Sequence, residues 1–198
     1  MIKAVIFDIG GVTIKSPMRS IYKALGKTFK KNWVKIKKVD ERLNPLIEIS
    51  RISQEAFWER FANSLKIKDV GLLKRIWEEQ FKKNARLDSG VVRIIKNVEK
   101  RNCKVATLSN TIPAHMGWHK KLGHYKIFDK VFLSCRLGMK KPDIKIYKYT
   151  ANKLGVEPME CIFIDDKKRN VIGAKRAGMK AILFKNSTQL KMDLKRYL

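Results

Sequence analysis

Hydrophobic positions fall into two rhythms along this chain. Residues 2–8 (IKAVIFD) form a short, nearly continuous apolar run that ends in a carboxylate and then turns through Gly10-Gly11. Such a run reads as a strand buried on both faces of a sheet. Between residues 16 and 85 no strand pattern occurs, and apolar residues recur at helical spacing. Ser16-Pro17 reads as an N-cap followed by Pro at the first helical position. Ser53 reads as the cap of a helix carrying Phe57, Phe61 and Leu65, with Glu55 in its first turn. Leu72, Leu73, Ile76 and Phe81 mark another helix, while Asn44-Pro45 and Val70-Gly71 read as punctuation.

Beyond residue 86 strands and helices alternate. Asp88-Ser89 starts a helix with Val91, Val92, Ile94, Ile95 and Val98, and Lys104–Leu108 reads as a strand. A helix over 113–122, a strand over 130–134 and a helix over 144–154 closed by Gly155 follow. Cys161–Ile164 reads as a strand, 170–177 as a helix closed by Gly178, and Lys180–Phe184 as the last strand. Residues 185–198 read as a basic helical tail. Alternation of this kind predicts an α/β fold with a parallel sheet and right-handed crossovers. The division expected is a core of residues 1–14 plus 86–198, interrupted by a helical insertion over 15–85 on the ligand-binding edge.

Composition changes this picture in two places. At 198 residues and 44% hydrophobic, the chain can bury a sizeable core, which excludes global disorder. No apolar stretch reaches the length of a membrane span, and the N-terminal run lacks the features of a signal peptide. Cys103, Cys135 and Cys161 have no metal-type spacing and read as reduced thiols of a cytoplasmic protein. The second change is charge: 45 Lys and Arg against 18 Asp and Glu give +27. Such a field attracts small anions and predicts weak, non-specific nucleic-acid binding that falls with salt. The run of Lys30, Lys31, Lys35, Lys37 and Lys38 reads as a solvated face or a polyanion dock.

Candidate chemistry then lies at the strand ends. Asp8 ends the first strand and can serve as a nucleophile towards phosphorus. Gly10 and Gly11 let backbone N–H groups approach a phosphate. Ser109 and Asn110 follow the second strand, and the Ser109 hydroxyl can donate to a phosphate oxygen. Lys141, before Pro142, can neutralise phosphate and nucleophile together, although Lys140 is an alternative. Asp165 and Asp166 end the fourth strand with Asn170 behind them. Carboxylates so close to Asp8 repel one another unless a cation joins them, and Mg²⁺ suits oxygen ligands beside phosphate. His115 and His119 read as surface residues, and Trp33, Trp58 and Trp77 as core of the insertion.

The set FDIGGV, LSNT, KKPD and FIDDxxxN resembles the haloacid dehalogenase-like hydrolase superfamily, with the four motifs in order across residues 4–184. The helical insertion resembles that superfamily's first type of cap. The resemblance implies a Rossmann-like core and Mg²⁺-dependent hydrolysis of a small phosphate monoester through an aspartyl phosphate. It implies Asp8 as nucleophile and metal ligand, the Gly10 carbonyl and Asp166 as further metal contacts, and Asp165 as support. Ser109 and Asn110 are implied to bind phosphate, Lys141 to stabilise charge, and the cap to choose the substrate. The chain departs from the common pattern at Gly10, where most phosphatases of the superfamily carry an acid–base Asp. Loss of a general acid–base costs a factor of about 10²–10⁴, least for good leaving groups such as anomeric sugar phosphates or acyl phosphates. Restoring a carboxylate at position 10 is expected to meet two obstacles, a clash with the cap and a backbone angle suited to Gly. Weak or absent catalysis, with polyanion binding as the function, is the alternative expectation.

Overall fold

A computed structural model describes residues 1–198. The chain runs β1 (Ala4–Phe7), α1 (Met18–Thr28), α2 (Trp33–Ile47), α3 (Gln54–Leu65), α4 (Val70–Asn84) and α5 (Ser89–Glu99). It continues with β2 (Lys104–Ser109), α6 (Pro113–Lys121), β3 (Lys130–Leu133), the single turn α7 (Ser134–Leu137) and α8 (Ile144–Leu154). β4 (Cys161–Asp165), α9 (Lys168–Arg176), β5 (Lys180–Leu183) and α10 (Ser187–Leu194) complete it.

The five strands form one parallel sheet in the order β3-β2-β1-β4-β5. β1 is central, so the order reverses beside it, and the carboxyl ends of β1, β2 and β4 open onto one crevice. All four residues of β1 are buried, as its continuous apolar run requires. Val5 and Phe7 pack into one apolar cluster, Ala4 and Ile6 into another on the opposite face. The first cluster continues without a break into the helices α1–α4.

Local signals explain most element ends. Ser53 Oγ accepts from the Ala56 N–H at 3.1 Å, and Asp88 Oδ1 accepts from the Val91 N–H at 3.0 Å. Gly155 ends α8 with φ +66°, and Gly178 follows α9 with φ +91°. At three places the structure differs from the sequence expectation. Ser16 makes no cap; Pro17 itself occupies the N-cap position of α1. Asn44-Pro45 lies inside α2, and Val70-Gly71 opens α4, where the Asp69 side chain accepts from Leu72 N–H at 2.7 Å. Pro45 sits in the last turn of α2, where its missing N–H forfeits the bond to the Glu41 carbonyl.

The helices α1–α4 build their own aromatic centre. Trp77 is fully buried, with Phe57, Trp58, Phe61 and Tyr22 around it in edge-on geometry at centroid distances of 5.1–6.4 Å. The chain leaves for and returns from this block along two adjacent segments, with Asp88 N–H donating to the Thr13 carbonyl at 2.8 Å. The tail α10 buries Leu190 and Leu194 against α5. No helix is long and apolar enough to cross a membrane.

Candidate active site at the carboxyl edge of the sheet

Asp8 follows β1 directly. Its N–H donates to the Ile164 carbonyl at 2.8 Å, and its carbonyl accepts from the Thr13 hydroxyl at 2.7 Å. These two bonds fix the backbone that carries the carboxylate. Lys141 Nζ is 2.8 Å from Asp8 Oδ1, 2.7 Å from Asp165 Oδ2 and 2.8 Å from the Leu108 carbonyl, so all three ammonium donors are used. Of the Asp8 carboxylate, it is Oδ1 that pairs with the ammonium. Lys140, the sequence alternative, turns away to Glu48 Oε2 at 3.7 Å and the Pro45 carbonyl at 3.5 Å.

Asp165 is fully buried and saturated. Besides Lys141 it accepts from the Lys167 N–H at 2.8 Å and from Asn170 Nδ2 at 2.9 and 3.0 Å. Asp166 is exposed next to it. One carboxylate oxygen each from Asp8, Asp165 and Asp166 lie within 4.8 Å of one another. A single buried ammonium answers these three carboxylates, so a divalent cation fits the charge as well as the all-oxygen donor set.

Electrostatics follow from burial. Desolvation pushes the Asp8 carboxyl up to about 6 against the pull of Lys141, with Asp165 adding to the rise. Burial works against the Lys141 ammonium, but Asp8 and Asp165 outweigh it and hold its pKa above the ordinary value. Partial burial, then Asp165, raises Asp166.

Gly11 and Gly10 differ sharply. Gly11 has φ +91°, and a Cβ there would overlap the Asp166 carboxylate, whose Cγ would be 2.8 Å away. Only glycine lets this loop lie on Asp166. Gly10 is outside the left-handed region, and a Cβ there meets nothing within 4 Å. Both obstacles expected for a carboxylate at position 10 are therefore absent from its immediate surroundings: the backbone suits any L residue and the space is open.

The phosphate-binding candidates separate in the same way. Ser109 is buried, and its hydroxyl has only a long contact of 3.5 Å to the Asn110 carbonyl, so it is available to a ligand. The Asn110 side chain is committed: Nδ2 donates to the Lys141 carbonyl at 3.0 Å and Oδ1 accepts the Lys141 N–H at 2.9 Å. It clamps the loop that delivers Lys141.

His115 and His119 are not surface residues. His119 is buried with Nδ1 2.8 Å from His124 Nδ1, while His115 stacks on Phe81 at 4.7 Å and accepts from Trp77 Nε1 at 3.0 Å. Aromatic side chains of α4 cover α6 here and hold both rings in low dielectric, which lowers their pKa values to about 3.

A cavity of about 510 Å³ lies between the strand ends and α1–α2. Asp8, Ser109 and Lys141 form its floor, with Lys140, Lys167 and Arg169 adding positive charge. The opposite wall holds Tyr22, Asp40, Asn44 and Glu48, none of which belongs to the four motifs. Asp40 is 2% exposed and accepts from the Tyr22 hydroxyl at 2.6 Å and Asn44 Nδ2 at 2.7 Å through Oδ2. A signal for it exists in the sequence: Asp40 falls on the apolar stripe of Ile36, Val39, Leu43 and Ile47.

Residues 5–184 match the haloacid dehalogenase-like hydrolase family. The chain belongs to that family. A sesquiterpene phosphatase of Aspergillus oryzae is 27% identical over 207 residues, covering 98% of this chain and 95% of that protein. A glyceraldehyde 3-phosphate phosphatase of Methanothermobacter thermautotrophicus is 30% identical over 90 residues, 44% of this chain and 39% of that protein. Among solved structures, a HAD-like family hydrolase of Porphyromonas gingivalis superposes with a TM-score of 0.77 at 23% identity, covering both chains fully. A HAD family enzyme of Bacteroides thetaiotaomicron, solved with magnesium and inorganic phosphate, superposes with a TM-score of 0.71 at 21% identity over 93% of this chain and 95% of that one. The family places this chain among hydrolases, and the phosphatase names of its relatives agree with the oxygen-rich site at the strand ends.

Proposed function

We propose that the chain is a Mg²⁺-dependent phosphatase that hydrolyses a small phosphate monoester through an aspartyl phosphate on Asp8. The observation that carries this reading is the buried Lys141 ammonium holding Asp8 and Asp165 at 2.8 and 2.7 Å beside the cavity, with Asp166 close by. Asp8, Asp166 and the Gly10 carbonyl would hold the metal, with Asp165 fixing Lys141 and supporting the cluster. When bound, Mg²⁺ neutralises charge on phosphate oxygens and carboxylates.

The protein's own part divides into placement and attack. Lys141 engages Asp8 Oδ1, which leaves Oδ2 to attack phosphorus. A bond forms from Oδ2 to phosphorus as the ester P–O bond breaks, and the leaving oxygen takes a proton from solvent because position 10 offers none. Water then attacks phosphorus, freeing Asp8 and phosphate. The Ser109 hydroxyl and N–H groups of the Gly10-Gly11 loop are suited to bind phosphate oxygens, with Asn110 acting through the Lys141 loop. Helices α1–α4 act as the cap, and their cavity wall selects the leaving group.

The test is phosphate release from a panel of metabolite phosphates with Mg²⁺, with excess EDTA, and with Asp8→Asn. Mg²⁺-dependent release lost in the variant is expected; release unaffected by EDTA contradicts the reading. The net charge of +27 and the exposure of Lys30, Lys35, Lys37 and Lys38 favour a second property, salt-sensitive polyanion binding. Such binding would persist in EDTA, which separates it from hydrolysis.

A further inference from the structure

The chain has three histidines, and all three converge where α4 packs on α6. His115 and His119 lie one turn apart on α6, and His124 opens the turn His124–Ile127 that follows it. His115 Nε2 accepts from the Trp77 indole N–H at 3.0 Å, the one side-chain hydrogen bond between α4 and α6. Phe81, one turn on from Trp77, covers the cluster. Its ring stacks on His115 at 4.7 Å and meets His119 edge-on at 4.9 Å. His119 Nδ1 in turn lies 2.8 Å from His124 Nδ1, with both residues buried. His115 keeps part of its surface on the cavity, so water and protons reach it.

Each of these hydrogen bonds needs a bare ring nitrogen. An indole N–H only donates, so His115 Nε2 carries no proton, and one Nδ1 of the His119–His124 pair must accept. An imidazolium has no accepting nitrogen. Protonation at Nε2 therefore removes the His115 bond outright, and the pair cannot survive protonation of both rings. We propose that the cluster is a proton-released latch between the helical block α1–α4 and the sheet: neutral rings hold α4 on α6, and acid frees it. Trp77 is the centre of the block's aromatic core, and α6 begins just after the Ser109-Asn110 segment. Releasing α4 thus shifts the cavity wall at Phe81 against the floor.

The surroundings set the direction. α4 brings Trp77 and Phe81 to the cluster, while its Glu78 and Lys82 pair with each other at 2.6 Å. The turn brings Tyr125, which has Cys135 and Arg136 as neighbours, and Lys120 and Lys121 of α6 are exposed. No carboxylate offsets the burial that opposes charge on the three rings. Freed rings titrate near the ordinary histidine value of about 6.5, and latched ones below it. The latch is therefore full above about pH 6.5 and weakens as pH falls. Asp40, which reaches Trp77 through Tyr22, and Glu48 have carboxyls raised by burial. Their titration favours the folded form in acid, so it acts with the opposite sign.

Hydrogen exchange read by mass spectrometry, corrected for the intrinsic pH dependence of amide exchange, reports release of α4 without any substrate. Its result is independent of whether the chain hydrolyses phosphates. Peptides from α4 and α6 should gain exchange about tenfold per pH unit below about pH 6.5, relative to a β4 peptide. The gain is steeper where the His119–His124 pair is released too. His115→Gln keeps an acceptor for Trp77 without titrating, and His119→Asn does the same towards His124, so the double variant should have a flat profile. A double variant as steep as wild type, or a wild type without this pH dependence, overturns the proposal. If the double variant does not fold, the ring proton resonances of the three wild-type histidines decide. They should stay neutral while α4 is protected and titrate together with its exchange. His115 protonated near its ordinary pKa with α4 still protected overturns the latch.

Discussion

Replacing Gly10 by Asp should accelerate hydrolysis of phosphates with difficult leaving groups. The structure supports the substitution sterically, since a Cβ at position 10 meets nothing within 4 Å and the backbone is not left-handed. Replacing Gly where an L residue fits stabilises by about 0.4–1 kcal/mol through the unfolded chain. Asp8 and Asp166 oppose this with like charge, partly answered by Lys141, so a small net change in Tm is expected. A positioned general acid–base contributes about 10²–10⁴ in rate, or about 2.7–5.4 kcal/mol of barrier. An introduced residue without tuned geometry recovers a fraction of this, and a gain of about tenfold or more in kcat/KM on alkyl phosphates is the expected scale. The gain should be absent from the phosphorylation step with p-nitrophenyl phosphate, whose leaving group needs no proton. Its dephosphorylation step can still accelerate, because the new carboxylate activates water. Burst and steady-state kinetics on both substrates resolve the two steps. A folded Gly10→Asp variant no faster on either would mean that position 10 does not lack an acid–base.

Four further substitutions probe the site's physics. Lys141→Met strips the ammonium from two buried carboxylates and should lower unfolding free energy by about 3–5 kcal/mol in urea melts without metal; a loss under about 1 kcal/mol would mean the pair carries little. Gly11→Ala, at φ +91° against Asp166, should cost about 1–3 kcal/mol and weaken Mg²⁺ binding, while Gly10→Ala should do neither, as read by melts and metal titration. Burial raises the Asp40 carboxyl to about 7, despite hydrogen bonds from Tyr22 and Asn44 that favour its ionised form. Its folded pKa exceeds the unfolded value, so the related stability is full below about pH 4 and is lost as pH rises through 7. Asp40→Asn escapes that loss, and its stability relative to wild type should rise by about 2–3 kcal/mol between pH 5 and pH 8; a gap independent of pH would contradict the burial argument.

Legibility of the sequence follows the range of the interactions involved. Asp8 is visible because a buried parallel strand writes itself as an uninterrupted apolar run, and a carboxylate closing that run before Gly-Gly stands where a parallel sheet presents its reactive groups. Gly155 and Asp88 are visible because caps are local. His115 looks like a surface residue in the sequence because its burial depends on Trp77 and Phe81, which approach from a helix more than thirty residues earlier. Asp40 is hidden in a Lys-rich stretch, although its place on the apolar stripe of α2 hints at burial. Tyr22, eighteen residues before it, supplies the partner that makes that burial tolerable. Asn110 shows the opposite limit. Its position beside Ser109 is legible, but only the fold reveals that its amide is spent on the Lys141 backbone.

Phosphorylation of Asp8 can be observed directly. The chain is mixed with radiolabelled acetyl phosphate and Mg²⁺, quenched in acid, digested and mapped. With no carboxylate at position 10 to activate water, the aspartyl phosphate should accumulate after a burst. Label is expected on the peptide containing Asp8, released by neutral hydroxylamine and absent in EDTA or in Asp8→Asn. Phosphate release at the wild-type rate from Asp8→Asn, or label mapping to a different residue, would contradict it.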